Sequence, residues 1–221
     1  MLKVERLSVS IKGFPILRGV TLEIPEGGLV GLVGRNGAGK TTTLKGILGL
    51  VPVTGGRIAL DGTDLAKVPA HKRAPLGLGY MPEDRRLIGA LTVEDNILMP
   101  AWATGRTDDR QRLQYIYDTI PDVRPLARRP ASTLSGGQQK IAALARAVMT
   151  GTKLLLLDEA FEGLSPATGE KFARTIQALQ REGLAILIAE SDDKRLGFVL
   201  DLYTIERGEI VESGGAPTAS A

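Results

Sequence analysis

The stretch from Leu29 to Thr41 reads LVGLVGRNGAGKT, and it limits the possible folds more than any other part of the chain. Its first half is a continuous apolar run suited to a strand buried on both faces. Its second half fits G-x-x-x-x-G-K-[ST], running from Gly34 through Arg35, Asn36, Gly37, Ala38 and Gly39 to Lys40 and Thr41. The residues that follow, Thr42 onward, have helical character. Glycines at this spacing let successive backbone N–H groups point into one anion-sized hollow, at the start of a helix whose dipole also favours negative charge. Lys40 reaches terminal phosphates from such a loop, and the Thr41 hydroxyl is a ligand for Mg²⁺. A chance glycine turn would not be expected to sit between a buried strand and a helix.

The rest of the chain supplies partners for that unit. Leu7, Val9 and Ile11, and again Val20, Leu22 and Ile24, alternate with polar residues and read as half-buried antiparallel strands. Arg57 to Leu60 and Gly79 to Met81 read as further short strands, and the pattern from Leu91 to about Arg129 is helical, opened by Thr92 and Asp95 as a capping box. Ile141, Leu144, Ala145 and Val148 form a helical stripe; Leu154–Leu157 and Leu184–Ala189 are buried strands separated by a helix with Phe172, Ile176 and Leu179 inward. Buried strands alternating with helices predict an α/β fold with a phosphate-loop core of mainly parallel sheet, an antiparallel β subdomain and an inserted helical lobe over about 83–150. One domain is expected over 1–212, with 213–221 as a flexible tail.

Two further sites carry chemistry. An ionised carboxylate at the end of the LLLLD strand is expensive to bury alone, so Asp158 calls for a cation such as nucleotide-bound Mg²⁺, and Glu159 beside it is placed to polarise an attacking water. Leu134-Ser135-Gly136-Gly137-Gln138 precedes the striped helix and offers a hydroxyl and open backbone amides, a second anion site; alone it would read as an ordinary Ser N-cap.

GRNGAGKTT, LSGGQ and LLLLDE in this order resemble the nucleotide-binding subunit of an ATP-binding-cassette (ABC) transporter, over residues 1 to about 212. YMPEDRR from Tyr80, LTVEDN from Leu91 and EGLSP from Glu162 resemble the branched-chain, hydrophobic amino-acid uptake branch. The resemblance implies a transport ATPase that uses ATP and Mg²⁺. Gly34 to Thr42 would hold the phosphates, with Lys40 and Glu159 catalytic and Thr41, Glu83 and Asp158 on the metal. It implies head-to-tail pairing with a second ATP-binding subunit, a sister chain favoured and an identical one left open, so that Ser135 to Gln138 cover the partner's ATP. It also implies docking of the lobe on transmembrane permease subunits, at the cytoplasmic face of the inner membrane. Three positions depart from the general family pattern: Glu83 replaces a Gln, Ser191 replaces a switch His, and Ile11 stands where an adenine-stacking aromatic is expected, with Phe14 a weak substitute. The Ser191 exchange makes a weakly hydrolysing, nucleotide-gated regulatory cassette the alternative.

Composition narrows the remaining classes. The chain has no Cys and one His, His71, which removes thiolate and His-rich metal sites. Its net charge is only +3, with basic residues dispersed among acids, so no nucleic-acid footprint is expected. His71-Lys72-Arg73 and Arg85-Arg86 read as solvated loops, and Trp102 and Tyr115 as packing within the lobe. No apolar run approaches a membrane span. Too few positions separate Lys40 from Ser135 for the coiled-coil arms of chromosome-organising ATPases, and no guanine-reading Asn-Lys-x-Asp occurs.

Overall fold

A computed structural model describes residues 1–215. The alternating N-terminal segments form β1 (Leu2–Ile11) and β2 (Phe14–Ile24), which pair antiparallel, and β4 (Val53–Leu60) and β5 (Thr63–Asp64) complete a sheet of order β2-β1-β4-β5. The apolar runs become β3 (Leu29–Val33), β7 (Leu154–Asp158) and β8 (Ala185–Glu190). With β6 (Leu78–Met81), β9 (Asp201–Glu206) and β10 (Glu209–Gly215) they build a six-stranded sheet of order β10-β9-β3-β8-β7-β6. All its pairings are parallel except β9 with β10.

Alternation along these central strands sorts the core into two layers. Leu155, Leu157, Ile186 and Ile188 face one side, against α2 (Val93–Thr104), α4 (Gly136–Thr150) and α5 (Pro166–Arg181). Leu154, Leu156, Leu187 and Ala189 face the other, against α1 (Lys40–Leu48) and the antiparallel sheet. Leu154 to Leu157 are all at 0% exposure, and each such leucine contributes about 1.5–3 kcal/mol of burial. α1 is therefore wedged between two sheets, with Leu44 and Ile47 buried, and its N-terminal end is held still.

The inserted lobe consists of α2, α3 (Asp109–Thr119), a 3₁₀ segment over Pro121–Leu126 and α4. Thr92 caps α2 by accepting from the Asp95 N–H, but the Asp95 carboxylate takes the Thr92 hydroxyl instead of the Thr92 N–H, so the expected capping box is half made. Tyr115 packs against the lobe core under the Arg112 guanidinium, whereas Trp102 is 53% exposed and packing explains only part of it.

One loop expectation needs correction, and a second holds for one of its two residues. Arg73 is buried, not solvated, because its guanidinium satisfies carbonyls at the end of α1; His71 and Lys72 are exposed. Arg86 is exposed as expected and Arg85 is half-buried; both take left-handed φ, 49° and 59°, and Arg146 of α4 donates to both their carbonyls. Of the segment expected as a tail, Ser213–Gly215 belong to β10, and the remainder lies outside the described residues.

Candidate active site

The loop between β3 and α1 ends at Gly39, the N-cap of α1, with φ 118°. A Cβ there would come within 2.7 Å of Leu17 Cδ2, so only glycine lets the loop turn this tightly against β2. No side chain caps α1 and its first turn holds no acid, which leaves the first N–H groups and the positive end of the dipole facing the cleft. Lys40 is 5% exposed and folds back over the loop, donating to the carbonyls of Gly34 (2.6 Å) and Arg35 (3.3 Å).

The central strands bring the acidic groups to the same place. β7 and β3 both flank β8, so the residues that end them converge at one edge of the sheet. Asp158 Oδ1 accepts from the Thr41 hydroxyl at 2.9 Å and Oδ2 from the Tyr80 hydroxyl at 3.1 Å. Burial raises the Asp158 carboxyl above its ordinary value in spite of these two donors, the signature of a site that gains from a cation. Glu159 Oε1 pairs with Lys40 Nζ at 3.1 Å, with both side chains buried. Its Oε2 accepts from the Ser191 hydroxyl (3.1 Å) and the Ser191 N–H (3.3 Å).

A cleft of about 490 Å³ collects Asn36, Gly37, Gly39, Lys40, Thr41, Thr42, Glu83, Glu159 and Ser191, with Ile11 and Ile16 at its apolar end. A smaller recess of about 140 Å³ joins Thr41, Glu83 and Asp158. Among the described residues no group of three or more His, Cys, Asp or Glu could hold a metal unaided. One hydroxyl and two carboxylates do suit Mg²⁺, which takes few protein oxygens and completes its shell from phosphates and water. Arg35 and Ala38 lie outside this cleft, lining a neighbouring hollow with Ile205 and Arg207.

Ser135 to Gln138 are not in the cleft lining. They open α4 with a full capping box: the Gln138 N–H donates to Ser135 Oγ and the Ser135 N–H to Gln138 Oε1. Ser135 and Gly136 are exposed, so this N-terminus is open to solvent outside the chain's own cleft lining.

The profile of the ABC transporter family matches residues 17–162. The chain belongs to this family. The cassette is 33% identical over 218 residues to the probable branched-chain amino acid transport ATP-binding protein LivF of Archaeoglobus fulgidus, covering 98% of this chain and 92% of that protein. It is also 31% identical over 220 residues to the lipopolysaccharide export system ATP-binding protein LptB of Escherichia coli, covering 98% and 91%. Its fold superposes on the ADP conformation of MJ1267, an ATP-binding cassette of an ABC transporter, with TM-score 0.87 at 24% identity, over 98% of this chain and 91% of that one. It is thus an ATP-binding, ATP-hydrolysing subunit of a transporter. No helix among the described residues of the cassette is long and apolar enough to cross a membrane.

Sequence reasoning missed Tyr80, Lys140 and Glu190. The hydroxyl of Tyr80 meets Asp158 only because β6 lies parallel beside β7, a register no local pattern shows. The other two had signals: Glu190 ends an apolar strand as Asp158 does, and Lys140 sits one turn before Leu144 on the apolar face of α4.

Proposed function

We propose that the cassette hydrolyses Mg·ATP in this cleft to drive a membrane importer of branched-chain or other hydrophobic amino acids. The observation that carries the site is the convergence of Lys40, Thr41 and Glu159 on one cleft, with Asp158 bonded to Thr41 in the adjoining recess. The loop amides from Gly34 to Thr42 bind phosphate oxygens, and Lys40 exchanges its loop carbonyls for the terminal phosphates. Thr41, Asp158 and Glu83 hold Mg²⁺, which when bound offsets phosphate charge. Glu159 takes the proton of the attacking water as general base. Ser191 supplies two donors that aim this carboxylate, which favours turnover over the weakly hydrolysing alternative.

Ser135 to Gln138, outside the cleft lining and with Ser135 and Gly136 exposed, fit a role on the nucleotide of a second ATP-binding subunit, and a sister chain is the favoured partner. The lobe docks on transmembrane permease subunits, placing the cassette at the cytoplasmic face of the membrane. LivF and, at 32% identity, the branched-chain amino acid transport protein BraG of Pseudomonas aeruginosa support the amino-acid assignment over the export role in the name of LptB. Purification with the native membrane partners decides it: leucine-class substrates should stimulate ATPase activity, and stimulation by a lipid substrate alone would refute the assignment.

Two local expectations test the cleft. Lys40→Ala should weaken ATP binding about 10- to 100-fold in equilibrium titration, the range for losing a charge-assisted contact; unchanged affinity would count against the loop. Ile11→Tyr should tighten ATP binding about 3- to 10-fold by giving the base an aromatic face where Ile11 now stands 40% exposed. If affinity does not rise, the base lies elsewhere.

A further inference from the structure

The turn after Asp158 is gripped by buried groups that phosphate chemistry does not use. Glu159 has φ 46°, a left-handed conformation that costs a non-glycine residue about 1–3 kcal/mol and persists only where its surroundings impose it. Three bonds do so. The Glu159 N–H donates to the Ala189 carbonyl at 2.9 Å. The Glu159 carbonyl accepts from Lys140 Nζ at 2.6 Å. The Phe161 N–H donates to Glu190 Oε1 at 2.7 Å.

Lys140 is 1% exposed and Glu190 0%. Among the described residues Lys140 makes no ion pair, and Glu190 pairs only with Arg195, at 3.5 Å. Burial brings the Lys140 ammonium down to about 8 and raises the Glu190 carboxyl. A helix such as α4 would be more stable with methionine or leucine at position 140, since a buried charge without a close counter-charge costs several kcal/mol. What Lys140 does there is hold one carbonyl, and that carbonyl belongs to the residue whose carboxylate enters the cleft. Glu190 in turn adjoins Ser191, which holds the Glu159 carboxylate itself.

We propose that Lys140 and Glu190 are positioning residues for hydrolysis, clamping the peptide groups of the 159–161 turn so that the Glu159 carboxylate stays aimed into the phosphate cleft. The inference rests on the proposed role of Glu159. Neither residue touches ATP. Loss of the clamp therefore lowers kcat and leaves ATP affinity alone.

The test uses the full chain, Mg·ATP and single-turnover hydrolysis beside equilibrium ATP binding. Lys140→Met keeps the stem and removes the donor, and should lower the rate about 100-fold, the scale of an ångström misplacement, with affinity within about twofold. Glu190→Leu should behave alike, whereas Glu190→Gln keeps an acceptor for the Phe161 N–H and should recover the rate to within about threefold of wild type. In a Glu159→Gln background, Lys140→Met should produce no further loss, because it acts only through that carboxylate. A purely structural lysine would lower folded fraction and rate in both backgrounds. The clamp is refuted if Lys140→Met turns over at the wild-type rate, if its loss is equal in both backgrounds, or if Glu190→Gln is as slow as Glu190→Leu. Should Lys140→Met fail to fold by circular dichroism, the Glu190 pair decides alone. Wild-type turnover unimpaired by Glu159→Gln would instead remove the base assignment beneath the proposal.

Discussion

Glu159→Gln is expected to lower ATP hydrolysis by about 10²- to 10⁴-fold, the contribution of a general base, while ATP remains bound. The geometry says why binding should survive. Both carboxylate oxygens are acceptors, Oε1 for Lys40 and Oε2 for the Ser191 hydroxyl and N–H. An amide keeps one acceptor and presents N–H donors on its other side. If its oxygen turns to Ser191, Lys40 faces a donor and loses its pairing, which frees the ammonium for phosphate. If its oxygen turns to Lys40, the Ser191 hydroxyl must rotate to accept. In neither arrangement can the side chain take a proton from water. Single-turnover hydrolysis with filter binding of labelled ATP reads both quantities, and a rate near that of the wild type would remove Glu159 from the mechanism.

How much of this was readable in the sequence depends on the range of the interaction. Elements governed by local pattern were legible: the alternation of Leu7 and Val9 and of Val20 and Leu22, the four buried leucines of β7, and the loop from Gly34 to Thr41 all carry their structure in neighbouring residues. The candidate site was legible where one residue's chemistry demands a partner, as a carboxylate at the end of a buried strand does at Asp158. It was not legible where a side chain closes on a distant backbone group. Lys140 reaches the carbonyl of Glu159, Arg112 of α3 takes the carbonyls of Val148 and Gly151 at the end of α4, and Arg146 takes those of Arg85 and Arg86. Carbonyls are present at every position and leave no mark in the sequence. A buried cation bound to them therefore looks like any exposed one. Arg73, read as part of a solvated basic loop, is the largest such case.

Arg73→Met should destabilise the cassette by about 3–5 kcal/mol, the range for breaking a buried charged contact. The guanidinium donates to four carbonyls: Ile47 at 2.6 Å, Leu65 at 2.7 Å, Val68 at 2.9 Å and Gly46 at 3.2 Å. Two of these belong to the last turn of α1, where the Gly46 carbonyl also accepts from the Gly49 N–H, and the positive charge there complements the helix dipole. The C-cap residue is Gly49, with φ 72°, where a Cβ would stand 2.7 Å from Arg73 Cζ, so the glycine both ends the helix and makes room for the cation. Methionine fills part of the stem's volume and takes the guanidinium from all four carbonyls, of which Gly46 and Leu65 keep backbone donors in Gly49 and Val68. Denaturant unfolding should show the loss as a lower midpoint, and Lys72→Met, exposed beside it, should stay within about 0.5 kcal/mol of wild type. A shift below about 1 kcal/mol for Arg73→Met would mean that water replaces the guanidinium. Because α1 carries the phosphate loop at its other end, Mg·ATP at 100 times its Kd should restore about 2.7 kcal/mol to variant and wild type alike. A smaller rescue in the variant would show that the cap at Arg73 also sets the conformation of the loop at Lys40, some 30 residues earlier in the chain but one helix length away in space.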